Sequence, residues 1–254
     1  MFPSHDRSGT AQLSTSVKKY GTSSLLLDGN SDYLSIPNNR DFQFDDGDFT
    51  IEAWVYQTNA AGSDAADRHP IVARMDGGSN RSFHLGIVES SGAQKLQFSF
   101  TSDGSSSTQY EFGGDVTINN WHHVALVRLG STVTCYLNGT ALGTTGNIGG
   151  SSIFVGTSDL TIGFRGLSSQ YFQGYIDDVR IIKGKAKYTA NFTAPTSALG
   201  SEVTESTTTV TTETKSLSST WTMTNDGSSP RSFVNMRLDN TWANNEHLQI
   251  QPGS

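Results

Sequence analysis

The sequence predicts an all-β fold, a two-sheet antiparallel sandwich with a small C-terminal β extension. Three observations carry that expectation. Short runs of alternating apolar residues recur along the chain. Clusters of Gly, Asn and Asp separate them, and no window of eleven or more residues holds a convincing helical period. Charged residues make up only 16%, while 26 of 254 positions are Gly, so Ser, Thr, Asn and Gln must dress a surface rich in turns.

Taken in order, residues 1–20 are polar, and residues 11–17 read as at most an edge strand. Residues 24–29 are an apolar run closed by Asp28-Gly29, and residues 32–37 alternate up to Pro37, so the two read as a hairpin around Asp28-Gly29-Asn30-Ser31. In residues 48–56, Ile51, Ala53 and Val55 share one face, and Glu52, Trp54 and Tyr56 share the other. Further strands are expected at 71–75, 82–88, 96–101, 121–129, 132–137, 160–164 and 175–182. Residues 122–129 are apolar on both faces, as in a central strand covered on both sides. Asn138-Gly139 is a hairpin signal, because both residues tolerate positive φ.

The net charge of −7 argues against a nucleic-acid partner, which needs clustered positive charge. No apolar run approaches the ~18 residues of a membrane span, so no membrane insertion is expected. The first residues lack the apolar core of a secretory signal, so the expectation is synthesis in a cytoplasm and exit by lysis or in an assembly. Cys135 is the only cysteine, which excludes an internal disulfide and a Cys-rich zinc site. Its alternation with Val133 and Leu137 makes it a small core residue.

The chain divides into an N-terminal arm (1–13), a main domain (14–197) and a Thr/Ser-rich arm with a small β docking region (198–254). Residues 203–214 are Thr-rich with high strand propensity and read as an extended arm or edge strand. Residues 217–251 recover apolar content, including Trp221 and Trp242, with a turn at Asn225-Asp226-Gly227. About 50 residues make a marginal core alone, so this region is expected to pack on the main domain or a neighbouring chain.

Several motifs together carry a family resemblance. They are Gly21-Thr22-Ser23-Ser24-Leu25-Leu26-Leu27-Asp28-Gly29, Asp32-Tyr33-Leu34 and Asp48-Phe49-Thr50-Ile51-Glu52-Ala53-Trp54-Val55. Then follow Trp121-His122-His123-Val124-Ala125, Tyr136-Leu137-Asn138-Gly139 and Phe172-Gln173-Gly174-Tyr175-Ile176-Asp177-Asp178-Val179-Arg180-Ile181. In this order and spacing the chain resembles the concanavalin A-like lectin/laminin-G-like jelly roll, of the LamG type 3 kind, over residues 14–197. The run from Arg180 to Thr196, with Lys183-Gly184-Lys185-Ala186-Lys187-Tyr188 at its centre, resembles the closing segment of such domains in virion proteins of tailed phages, particularly marine ones.

The resemblance implies a jelly roll with a possible Ca²⁺ at one rim, and Asp28, Asp32, Asp177 and Asp178 are the candidate ligands. The competing reading of Asp28 is a turn residue bonding its own backbone. Asp45-Asp46-Gly47-Asp48 reads as a solvated turn. For glycan binding, the candidates are Gln109, Tyr110, Arg165, Gln170, Tyr171 and Phe172, which offer rings for stacking and polar groups for hydroxyls. The competing reading makes Tyr171 and Phe172 loop anchors. Glycoside hydrolysis needs two carboxylates, and no Glu-x-Asp-x-x-Glu run occurs, so no enzyme is expected. His122 and His123 point to opposite faces of a strand and cannot easily chelate one ion.

The resulting expectation is a virion structural protein displaying a lectin-like domain for weak, avid adhesion to host-surface glycan. Its partners would be capsid or tail proteins or copies of itself. The alternatives are a decoration protein that binds no sugar and a carbohydrate-binding module from a larger bacterial protein. Fold alone does not choose among them.

Overall fold

The computed structural model describes residues 6–63, 67–76, 78–166, 170–200, 233–236 and 250–252. Its strands are β1 (Asp6–Ser8), β2 (Gln12–Ser14), β3 (Ser24–Asp28), β4 (Tyr33–Ile36), β5 (Phe49–Gln57), β6 (His69–Arg74), β7 (Phe83–Ser90) and β8 (Ala93–Thr101). There follow β9 (Ser107–Glu111), β10 (His122–Leu129), β11 (Thr132–Leu137), β12 (Thr140–Asn147), β13 (Leu160–Ile162), β14 (Gln173–Lys183), β15 (Phe233–Met236) and β16 (Ile250–Pro252). Among the described residues no α-helix occurs, and a 3₁₀ turn spans Arg40–Phe42.

The strands form two antiparallel sheets of a jelly-roll sandwich. One has the order β1-β4-β13-β6-β7-β8-β9. The other runs β12-β11-β10-β5-β14, and β14 is then flanked by β3 along residues 173–176 and by β15 along residues 180–182. The β5 alternation explains the layering. Phe49, Ile51, Ala53 and Val55 enter the core between the sheets, while Thr50, Glu52 and Trp54 face outward and are buried all the same. Burial of the Phe49, Ile51 and Val55 side chains contributes about 1.5–3 kcal/mol each. On β10, Val124 and Leu126 join that core, while Ala125 and Val127 form a second cluster with Tyr136, covered by Ala186, Tyr188 and Phe192. The segment after β14 therefore straps across the outer face of the second sheet. The central strand is covered on both sides, as the sequence predicts.

At the β11–β12 turn, Asn138 and Gly139 have φ of 51° and 83°, the positive pair that a tight hairpin requires. Gly139 also accepts the Phe192 N–H at 2.8 Å, which docks the turn on the strap. Cys135 is fully buried in the core.

Three expectations change. The segments on either side of Asp28-Gly29 are not a hairpin, because β3 lies in one sheet and β4 in the other. Leu25 and Leu27 meet Leu34 and Ile36 across the core, and the turn carries the chain between layers. The N-terminal arm is not separate. β1 pairs with β4 and β2 with β3, so residues 6–14 contribute an edge to each sheet. Strands β9 and β12 were not expected, since Ser-Thr-Gln-Tyr-Glu and Thr-Ala-Leu-Gly-Thr-Thr-Gly-Asn lack apolar alternation; both are edge positions, where one flank stays open to water. The expected docking region lies outside the described residues apart from β15 and β16, which extend the chain's own sheet.

Candidate functional site

At one rim of the sandwich, four stretches of chain enclose a cleft of about 250 Å³. Gly29 comes from the β3–β4 turn, and Asn59, Ala60, Gly62 and Asp67 from the loop after β5. His69 opens β6, and Tyr171 and Gln173 lead into β14. Gly29 has φ +80°, and a Cβ there would stand 2.7 Å from Gln173 Cβ, so only glycine lets the turn press on β14. The size suits a small polar ligand, just under the roughly 300–1,000 Å³ of common ligand pockets.

His69 is held in one protonation state. Gln57 Nε2 donates to the Val116 carbonyl at 2.8 Å, which turns Gln57 Oε1 toward His69 Nδ1, also at 2.8 Å. The ring therefore donates from Nδ1, and burial pushes its pKa down to about 4. At neutral pH it is an uncharged imidazole. Beside the cleft, Tyr171 stacks on Phe164 at 4.7 Å between centroids, and Phe164 stacks on Tyr33 at 4.7 Å. These half-buried rings put an aromatic margin next to amide, carboxylate and imidazole groups. Such a set can stack on an apolar ring face and hydrogen-bond hydroxyls.

Of the expected glycan residues, only Tyr171 lines this cleft. Phe172 is a correction: it is 0% exposed and packs in the core against His69 at 5.5 Å, so no ligand reaches it. Arg165 and Gln170 are buried together, Arg165 NH1 donating to Gln170 Oε1 at 3.2 Å. Gln109 and Tyr110 sit on β9, four strands from β13, or about 19 Å at ~4.8 Å per strand. Tyr110 donates its hydroxyl to the Asn147 carbonyl at 2.6 Å and so ties the two sheet edges together. The six residues do not form one site.

Neither do the four aspartates fit a calcium ion. Asp28 Oδ1 accepts the N–H groups of Asn30, Ser31 and Asp32 at 2.8, 3.0 and 3.2 Å. Burial alone raises its pKa, but these donors outweigh it and hold the carboxyl below its usual range. Asp32 accepts the N–H of Thr10 at 2.6 Å and that of Asp28 at 3.2 Å. Asp177 accepts the N–H groups of Lys19 and Tyr20, and Asp178 that of Leu199 at 2.9 Å. Strands β3 and β14 are neighbours, but Asp28 faces Gln173, four residues or about 13 Å from Asp177. Asp178 has φ +49° at a bulge, where pairing with β5 shifts register between Asp177 and Arg180. Among the described residues no group of three or more His, Cys, Asp or Glu is arranged to hold a metal.

Sequence reasoning missed a buried network under the strap. Glu52 Oε1 accepts from Arg180 Nε at 2.7 Å and NH2 at 2.6 Å, and its Oε2 accepts from Tyr188 OH at 2.8 Å and meets His123 Nε2 at 3.0 Å. Burial pushes the Glu52 carboxyl up, but the His123 bond and the Arg180 charge outweigh it and lower its pKa. The available signal was a lone carboxylate on a strand buried on both faces, which requires a cationic partner.

The chain's similarities agree with this architecture. A family model described as concanavalin A-like lectin/glucanases superfamily, Laminin_G_3, matches residues 28–187. The chain belongs to this superfamily. No curated protein matches it. Among solved structures, this concanavalin A-like domain is similar to domain 4 of AbnA, a GH43 extracellular arabinanase from Geobacillus stearothermophilus, in complex with arabinotriose. The TM-score is 0.53 at 18% identity, over 70% of this chain and 78% of that one. It is also similar to the binding domain of Paraclostridial Mosquitocidal Protein 1 (TM-score 0.54, 14% identity, 73% of this chain and 45% of that one). A third is the enzymatically active domain of bacteriophage CBA120 tailspike protein 2 (TM-score 0.54, 18% identity, 74% and 29%). The chain thus spans less than half of the last two. At these identities the likeness is one of fold, a lectin-like sandwich.

Proposed function

We propose that this domain is a non-enzymatic adhesion module of a virion, binding host-surface glycan weakly at the rim cleft and gaining avidity from many copies. The observation that carries the reading is the cleft itself, with Tyr171 beside Asn59, Asp67, His69 and Gln173. Among the described residues its only carboxylate is Asp67, whereas glycoside hydrolysis needs two. Glu52 is no substitute, since both its oxygens are committed under the strap. The virion setting, with synthesis in a bacterial cytoplasm and capsid or tail proteins or further copies as partners, rests on the resemblance of the segment from Arg180 to Thr196. The similarity to a tailspike fold is consistent with it.

The test is a glycan array with the wild-type chain and Tyr171→Ala. The variant loses about tenfold in signal, equivalent to about 1.4 kcal/mol, with an unchanged circular dichroism spectrum. Equal binding by the variant would move the site elsewhere. No binding by the wild type to any glycan would favour the decoration protein.

A further inference from the structure

The rim cleft is one-sided in charge. Among the described residues Asp67 is the only charged group that lines it, and neither Lys nor Arg does. Asp67 is exposed and forms no ion pair with a described residue. Its place in the cleft is set by backbone contacts. The Gly62 N–H donates to the Asp67 carbonyl at 2.9 Å, and a Cβ at Gly62 would stand 2.6 Å from Asp67 Cβ and 2.8 Å from its Oδ2. The bare glycine therefore lets the loop close against the acidic side chain. The loop is pinned in turn by Gln94, whose Oε1 accepts the Ala61 N–H at 2.7 Å while its Nε2 donates to the Ala61 carbonyl at 3.0 Å. The carboxylate is thus held at the mouth of the cleft before any ligand arrives.

The second fixed group also accepts. His69 is 6% exposed and lines the cleft. Its Nδ1–H is committed to Gln57 Oε1, so the free lone pair of the ring lies on Nε2. No described residue bonds Nε2, and it is not among the unpartnered nitrogens sealed from water. The cleft therefore offers a carboxylate and a bare imidazole lone pair, both of which need donors from a ligand. The Asn59 and Gln173 amides can serve either way. The ring face of Tyr171 attracts positive charge, and the net charge of −7 extends the same preference over the whole molecule. An anionic ligand would meet Asp67 with no cation in the lining to offset it.

We propose that the cleft selects a sugar with a free amine, its ammonium held by the Asp67 carboxylate beside the Tyr171 ring and a neighbouring hydroxyl donating to His69 Nε2. The inference rests on the glycan-binding reading above and gives that ligand a positive charge. Sugars that carry a carboxylate or a sulfate are disfavoured at the same place.

The test is a nuclear magnetic resonance titration of the full chain at about pH 6, where an amine is protonated. The probes are methyl glucosaminide, its N-acetyl form, methyl glucoside, glucuronate and methylammonium. The glucosaminide is expected to move the His69 and Tyr171 ring signals. It binds about fivefold more tightly than the glucoside or the N-acetyl form, the scale of an ion pair open to water. Glucuronate binds most weakly, and the preference for the amine shrinks as salt is raised. Asp67→Asn, a substitution at an exposed position, brings the ratio of glucosaminide to glucoside affinity close to one. If glucosaminide and glucoside bind the wild type alike, the charge inference is overturned while glycan binding survives. If the preference persists in Asp67→Asn, the assignment to this carboxylate falls. If methylammonium binds as tightly as the glucosaminide, the sugar contributes nothing, and both this inference and the glycan reading fail. Both also fail if no sugar moves the His69 or Tyr171 signals.

Discussion

Replacing Glu52 by alanine destabilises the domain by about 3–5 kcal/mol, the usual cost of removing one partner from a buried ion pair. Glu52 is fully buried, and Arg180 beside it is 4% exposed. The substitution leaves the guanidinium with its bond to the Gly200 carbonyl at 2.7 Å and takes the acceptor from the Tyr188 hydroxyl. The strap then loses an anchor to the sheet it covers. Urea unfolding reads the effect as a lower midpoint at unchanged slope. Glu52→Gln keeps the volume and one acceptor oxygen, and so costs less. A loss below about 1 kcal/mol for the alanine variant would mean that the Gly200 bond and the stacking of Tyr188 on Phe192 suffice to hold the strap.

Acidification weakens the fold through its buried histidines. The unfolded chain protonates His69 below about pH 6.5, whereas the folded chain keeps it neutral down to about 4 because the ring is buried against Gln57 and Phe172. Between those values the unfolded state holds more protons, so stability falls as pH falls. A span of about 2.5 pH units at about 1.4 kcal/mol each gives about 3 kcal/mol. His84 acts in the same direction, its pKa lowered by burial and then by Arg165 and Arg68. Glu52 adds a further loss at lower pH, since a carboxyl with a lowered folded pKa stabilises above its unfolded value and ceases to do so as it protonates. Urea unfolding at a series of pH values from 7.5 to 4 checks the slope, and His69→Gln removes its share. A flat profile between pH 7 and 5 would contradict the buried, neutral imidazole.

The sandwich was legible because its central strands announce themselves. Ile51, Ala53 and Val55 alternate, Val124 to Val127 are apolar on both faces, and Asn138-Gly139 marks its turn. Edge strands β9 and β12 were not, because polar edges need no apolar pattern. Asp28 was legible as a turn residue, but not that its turn changes sheets, since local chemistry carries no information about which layer follows. The site was read poorly for the same reason. Tyr171 and Phe172 are adjacent in sequence and face opposite ways, one to the cleft and one to the core. Gln109 and Arg165 bear suitable groups, but strand order separates them. The Glu52 network needed the pairing of β5 with β14, a contact between residues 128 apart.

That same pairing orders events during synthesis. Strand β14 lies between β5 and β3, and it leaves the ribosome after every sandwich strand except β15 and β16. Until it arrives, β3 and β5 each carry a bare flank of unpaired amides and carbonyls, with Trp54 and Glu52 uncovered beside them. Long-range closure of this kind folds slowly, and waiting edges are where chains adhere to one another. Until residue 183 is free, those two flanks are open strand edges of the growing chain.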